Sequence, residues 1–306
     1  MTSIFFYILL RMNTRSKTSV LDNTPIAIIN HIICDRSGSM SVFNGKHIEL
    51  NEQLLKNTKS LAQTTSIPNY VTFTSFDDKV DTIIDNQNII NLVIPSIKKS
   101  LLPRGQTRFI DTVINSIINM QKQKQLILKS LPRELRSLNP NIQMILNCTT
   151  DGLDNISKNT PSTLKKYMGK FRNSGGQAIL LTANIDSAYT SDLYGFSKDT
   201  ALTVDNTNPV AIKFAYECVE KLSRDISIGE PSIPFTPLQR MHSQPHDTHI
   251  DYDSDDSISF TQLLPPPSLS RVVNQPISNN TVKYTDSDSD SGSSLNFDPN
   301  EPVPLP

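Results

Sequence analysis

Asp35, Ser37 and Ser39 put a hard oxygen on every second residue of the stretch CDRSGS. In an extended or tightly turning loop that alternation directs the three side chains at one point. With no His or Cys among them, the set suits Mg²⁺ or Mn²⁺ better than zinc. Two more oxygen-bearing residues hold comparable places later in the chain. Thr107 lies in the loop Gln106-Thr107-Arg108 ahead of a long helical pattern, and Asp151 opens Asp151-Gly152 straight after the apolar run IQMILNCTT.

Elements that can position these residues follow from the hydrophobic pattern. Residues 26–34, IAIINHIIC, are apolar and β-branched without regular polar breaks, as expected of a strand buried on both faces in a parallel sheet. An amphipathic helix is predicted over 46–65, a strand over 70–76 (YVTFTSF) and, after an Asp77-Asp78 turn, an antiparallel edge strand over 79–84. A short helix is expected over 86–100. Pro103, Arg104 and Gly105 break it before a long helix starting near Phe109, whose stripe of Ile110, Val113, Ile114, Ile117 and Ile118 reads as packing against the sheet. Further strands are predicted over 142–150, 177–183 and 201–204, and helices over 161–172, 186–194 and 210–224. This alternation predicts an α/β fold, a doubly wound, mostly parallel six-stranded sheet with one antiparallel edge strand, over residues 23–226. Right-handed crossovers put the carboxyl ends of the central strands on one edge, so the loops bearing Asp35, Ser37, Ser39, Thr107 and Asp151 converge there.

Composition sets the broader bounds. A chain of 306 residues holds one domain with a sizeable core plus appendages, and a formal net charge of -1 gives no reason to expect nucleic acid or an anionic membrane as partner. Three scattered cysteines make no disulfide framework, which points to a reducing, intracellular and cytoplasmic setting. Cys34 and Cys148 are expected to be buried free thiols. No internal run approaches the roughly 18 apolar residues of a membrane span. Residues 1–22 carry the apolar run IFFYILL without the basic flank or cleavage site of a signal peptide, and Met12 is an alternative start. That segment is expected to be disordered.

DRSGS, then QT, then TDG, each at the end of the appropriate element, resembles the metal-ion-dependent adhesion site of the von Willebrand factor type A family, of the intracellular type. The resemblance covers about residues 25–225 and matches all five positions of the family's DxSxS…T…D pattern. It implies a non-enzymatic binding module of Rossmann-like architecture. Ser37, Ser39 and Thr107 would coordinate Mg²⁺ or Mn²⁺ directly, and Asp35 and Asp151 directly or through water. One position would remain for an Asp or Glu carboxylate of a protein partner. Arg36, inside the motif, is expected to face solvent or a partner, and Asp154 to act as a cap or turn residue rather than as a support of the metal shell. Ser41 and Asn44 are expected to shape the loop.

Two rival functions remain in view. A phosphohydrolase of the haloacid-dehalogenase type also uses a strand-end Asp with Mg²⁺, but it needs a second Asp where this chain has Ser37; neither a GxxxxGK[ST] loop nor a GxSxG elbow is present. The other rival is a scaffold with a degenerate metal site whose acidic tail does the work. Residues 227–306, rich in Pro, Ser and Asp, are expected to be a disordered tail. His242, His246 and His249 share a helical spacing there, but Pro245 lies among them and no cysteine is near, which argues against zinc. The tail also carries the acidic clusters YDSDDS and YTDSDS. Serines beside aspartates suit acid-directed kinases, and the hypothesis is that Ser254, Ser257, Ser287 and Ser289 are phosphorylated. Phosphate mapping of protein purified from its native cells checks this, and finding all of them unmodified removes the regulatory role.

Overall fold

The computed structural model describes residues 24–183 and 185–244. The segment 1–22, the two acidic clusters, His246 and His249 lie outside the described residues. A six-stranded sheet in the order β3-β2-β1-β4-β5-β6 organises the chain. Strand β1 (Ala27–Asp35) is buried at every position and sits between two parallel neighbours, β2 (Asn69–Phe76) and β4 (Ile142–Thr150). This is the environment its unbroken apolar run requires. Strand β3 (Val80–Asn88) pairs antiparallel with β2 at one edge, while β5 (Gly176–Ala183) and β6 (Ala201–Val204) continue the parallel sheet to the other.

Helices cover both faces. The long helix α2 (Phe109–Ser130) lies with α4 (Pro161–Asn173) and α5 (Ser187–Tyr194) on one side, over a core that includes Ile33, Phe109, Val113, Leu146 and Leu180. On the other side α1 (Lys46–Thr65) packs with α6 (Pro209–Ser227), above Ile32, Leu55, Ile145 and Leu202. A short helix, α3 (Arg133–Ser137), fills the connection into β4. Helix starts follow local chemistry: Thr160 and Asn208 cap α4 and α6 with side-chain oxygens, and a proline follows each cap. Cys34, Cys148 and Cys218 are free and buried, and burial pushes their thiols above the usual cysteine range. Among the described residues no helix is long and apolar enough to cross a membrane.

Two expectations need correction. The helix predicted over 86–100 does not form: β3 continues to Asn88, an irregular segment follows, and only a single 3₁₀ turn (Lys98–Leu101) is helical. Pro95 disfavours helical backbone at Ile94, and Ile89, Ile97 and Leu101 are spent on the core beneath α1 rather than on one helical stripe. The residues directly after 226, expected to open a disordered tail, are structured through 244. Beyond α6 the chain places Phe235 in the core and forms α7 (Pro237–Ser243), opened by a capping box between Thr236 and Gln239.

Helix α7 straps the β6 edge. Arg240 donates from Nη1 to Ala201 O (2.7 Å) and from Nη2 to Lys198 O (2.7 Å), and Asp205 N donates to Ser243 O (2.7 Å). An edge covered in this way is withdrawn from pairing with other chains. The His242 ring packs tilted against Phe214 at a centroid distance of 5.5 Å and an interplanar angle of 56°, so it serves packing here. The substitution Phe235→Ala is expected to cost about 3 kcal/mol of unfolding free energy. Urea denaturation measures this, and an unchanged midpoint would contradict docking of the strap.

Candidate metal centre

Strands β1 and β4 are neighbours in the sheet, but the chain leaves their carboxyl ends in opposite directions along it. This is the switch point of a doubly wound sheet, where a crevice opens. Cys34 pairs in register with Thr149, so Asp35 at the end of β1 stands beside Thr150 and just below Asp151. Asp35 is fully buried. Its Oδ1 accepts from Ser37 N (2.7 Å) and its Oδ2 from Thr150 Oγ1 (2.7 Å). The first of these bonds folds the loop back on the strand end and turns into the 3₁₀ helix Gly38–Phe43, which Met40 and Phe43 anchor in the core.

A hydrogen-bonded chain then leads to the rim. Ser37 Oγ lies 3.0 Å from Ser39 Oγ, and Ser39 Oγ donates to Asp151 Oδ1 at 2.8 Å. Ser37 is buried whereas Ser39 is exposed, so the chain runs from the core to solvent. Thr107 arrives from another loop and is held against the Asp151 loop by a reciprocal pair: its N–H donates to Asn155 Oδ1 (2.9 Å) and its carbonyl accepts from Asn155 N (3.1 Å). Its hydroxyl faces Gly152, where an added Cβ would stand 3.3 Å from Thr107 Oγ1. Asp35, Ser37, Ser39 and Asp151 thus form one connected group, with Thr107 beside it.

Asp154 lies apart from this group. It accepts from Ile110 N (2.8 Å) and Ser157 N (2.9 Å), capping the first turn of α2 from across the crevice. Arg36 corrects an expectation: it does not face solvent but is buried, with its guanidinium turned onto Asp77. Thr150, Asn155 and Asp77 escaped the motif reading. Asp77 had a signal, being an acid placed directly after a predicted strand at the same carboxyl edge. Thr150 and Asn155 had none.

The electrostatics follow from burial. Desolvation raises the Asp35 carboxyl to about 6, although hydrogen bonds from Thr150 and Ser37 favour its ionised form. Asp151 is also raised, again chiefly by burial, with the Ser39 hydroxyl opposing the shift. Among the described residues neither acid has an ion-pair partner, since Arg36 and Arg104 pair instead with Asp77 and Asp81. No three His, Cys, Asp or Glu side chains cluster among the described residues, so a cation here would depend on hydroxyls as well as on two carboxylates. An all-oxygen donor set with two acids lacking a base fits a hard divalent ion.

No protein-family model and no curated protein sequence matches the chain. Solved structures do resemble it. Proximal thread matrix protein 1 from the mussel byssus is 15% identical over 67% of this chain and 48% of its own, with a TM-score of 0.42; this chain therefore spans about half of that one. A further structure of the mussel protein, with a zinc-occupied MIDAS motif, is 16% identical over 67% of this chain and 47% of its own, with a TM-score of 0.41. The vWF domain of the type V pili tip protein Mfa5 from Porphyromonas gingivalis is 12% identical, with coverages of 69% and 98% and a TM-score of 0.42. Similarity at this level carries no argument about the site, which is read from its own residues.

Burial of Asp35 has a consequence for stability. Its folded value of about 6 lies above the roughly 3.9 of an unfolded aspartate, so the native state binds the proton more tightly. The Asp35 contribution to metal-free stability is therefore fully present below about pH 4 and is lost as pH rises from there through about 6, by up to about 3 kcal/mol. Asp35→Asn can keep the Ser37 bond and donate to Thr150, whose hydroxyl also reaches Gly152 O at 3.0 Å. In chelator it is expected to be the more stable protein at pH 7 and to flatten the slope between pH 4 and 6. Denaturant titrations across that range check this, and a variant less stable than the parent at pH 7 contradicts it.

Proposed function

We propose that this chain is a non-enzymatic interaction module that binds Mg²⁺ or Mn²⁺ through Asp35, Ser37, Ser39, Thr107 and Asp151 and so captures an Asp or Glu carboxylate of a protein partner. The observation that supports this reading is the chain from Asp35 through Ser37 and Ser39 to Asp151, which joins two acids without a base across the switch-point crevice. When bound, the dication supplies an electrophilic site for an incoming carboxylate, because the protein offers it at most two negative charges. The residues have separate tasks. Asp35, tied to Thr150, fixes the inner wall, while exposed Ser39 and half-buried Asp151 face the side from which a partner arrives.

Hydrolysis is the weaker reading, because the position a phosphohydrolase needs for its second acid is Ser37, whose hydroxyl is engaged with Ser39. The three buried free thiols are in keeping with the reducing, intracellular setting proposed for the protein. Titration with MgCl₂ or MnCl₂ tests the reading. At a hundredfold excess over the dissociation constant, unfolding free energy rises by about 2.7 kcal/mol, and Asp35→Ala or Asp151→Ala abolishes the gain. Pull-downs with and without chelator then report metal-dependent partner capture. A parent protein that neither ion stabilises would overturn the proposal.

A further inference from the structure

Arg36 lies between two of the proposed ligands, yet only 2% of it is exposed, and its guanidinium points away from the metal site. Its Nε donates to Asp77 Oδ2 (3.0 Å) and its Nη2 to Asp77 Oδ1 (3.2 Å). Its Nη1 reaches Ser75 Oγ (3.1 Å), Ser100 O (3.1 Å) and Asp81 Oδ2 (2.6 Å). Arg104 closes the cluster with a 2.6 Å bond to Asp77 Oδ2. The backbone of the same residues ties three loops together. Arg36 N donates to Phe76 O (2.8 Å), Arg104 N to Arg36 O (2.7 Å), Gly38 N to Gly105 O (3.2 Å) and Arg108 N to Asp77 O (3.2 Å). Gly105 has φ +67°, a conformation that favours glycine, and a side chain there would run into the Asp78 carboxylate. The Ser37 and Ser39 loop and the Thr107 loop are thus pinned to one another through Arg36 and Asp77.

A buried ion pair is a poor device for stability alone, since well-packed apolar residues often do as well or better. A planar fork that meets a carboxylate with two bonds does fix geometry, and a lysine cannot reproduce it. We propose that Arg36 is a positioning residue: held by Asp77, it sets the distance between the Ser37 and Ser39 hydroxyls and Thr107. The inference rests on the metal-site reading given above.

The test compares the parent protein with Arg36→Lys and with the double variant Arg36→Gln, Asp77→Asn, which leaves no unpaired buried charge. Two quantities are read on protein that melts cooperatively: Mn²⁺ affinity by calorimetric titration, and amide exchange over residues 37–40 and 104–108 in chelator. Both variants are expected to bind Mn²⁺ some 10–100-fold more weakly, as loss of a support behind metal ligands does. Exchange in both segments is expected to quicken at least about tenfold as their closing bonds open. Variants that melt at lower temperature but bind Mn²⁺ within about threefold of the parent, with unchanged exchange, would overturn the positioning role. Recovery of parental affinity by Arg36→Lys would overturn it too, since charge alone would then suffice. A parent that binds no Mn²⁺ overturns the metal-site reading instead, and the exchange comparison still decides whether Arg36 fixes the two loops.

Discussion

Two carboxylates, one fully buried and one half-buried, meet at the crevice between β1 and β4, and among the described residues no lysine or arginine is paired to either. Taking negative charge out of water is costly unless something positive or hydrogen-bonding meets it. Here backbone and hydroxyl donors do part of that work: Ser37 N and Thr150 for Asp35, and Ser39 for Asp151. The remainder shows as upward displacement of both acids. A site held in that condition by its own fold favours whatever brings positive charge to it.

Sheet topology makes this arrangement possible. Parallel pairing of β1 with β4 sets Asp35 beside Thr150, and the switch in winding direction leaves the space above them free of a crossover helix. Other loops are then tied to this edge by specific bonds: Thr107 through Asn155, and the Ser37 and Ser39 loop through Arg36 and the Gly38 to Gly105 contact. Arg36 and Arg104 lie at the same edge but are paired with Asp77, directly after β2, and Asp81 in β3. Positive charge in the protein therefore holds the loops, and negative charge is left for the site.

Much of this was readable from residue order, for a physical reason. Strands β4 and β6 lie where their mostly apolar runs place them, because a buried strand admits few polar side chains and those must find partners. The motif residues came together because each ends or follows such a strand or precedes a strongly striped helix. What periodicity could not show was held by single long-range contacts. Arg36 reads as a surface residue until its partner at Asp77, 41 positions later, is known. The strap through Phe235 and α7 rests on one aromatic side chain and on guanidinium bonds to carbonyls, and composition registers neither. The residues after β3 were apolar enough for a helix, but Pro95 and the need to cover the core beneath α1 took them elsewhere.

In the proposed module these oxygens surround one divalent ion. Anomalous diffraction from crystals of the protein grown with MnCl₂ addresses it directly. A single strong peak is expected at the crevice within coordination distance of Ser37, Ser39 and Thr107, with Asp35 and Asp151 in its shell or one water away. Well-ordered crystals with no peak there, or with manganese bound only elsewhere, would contradict it.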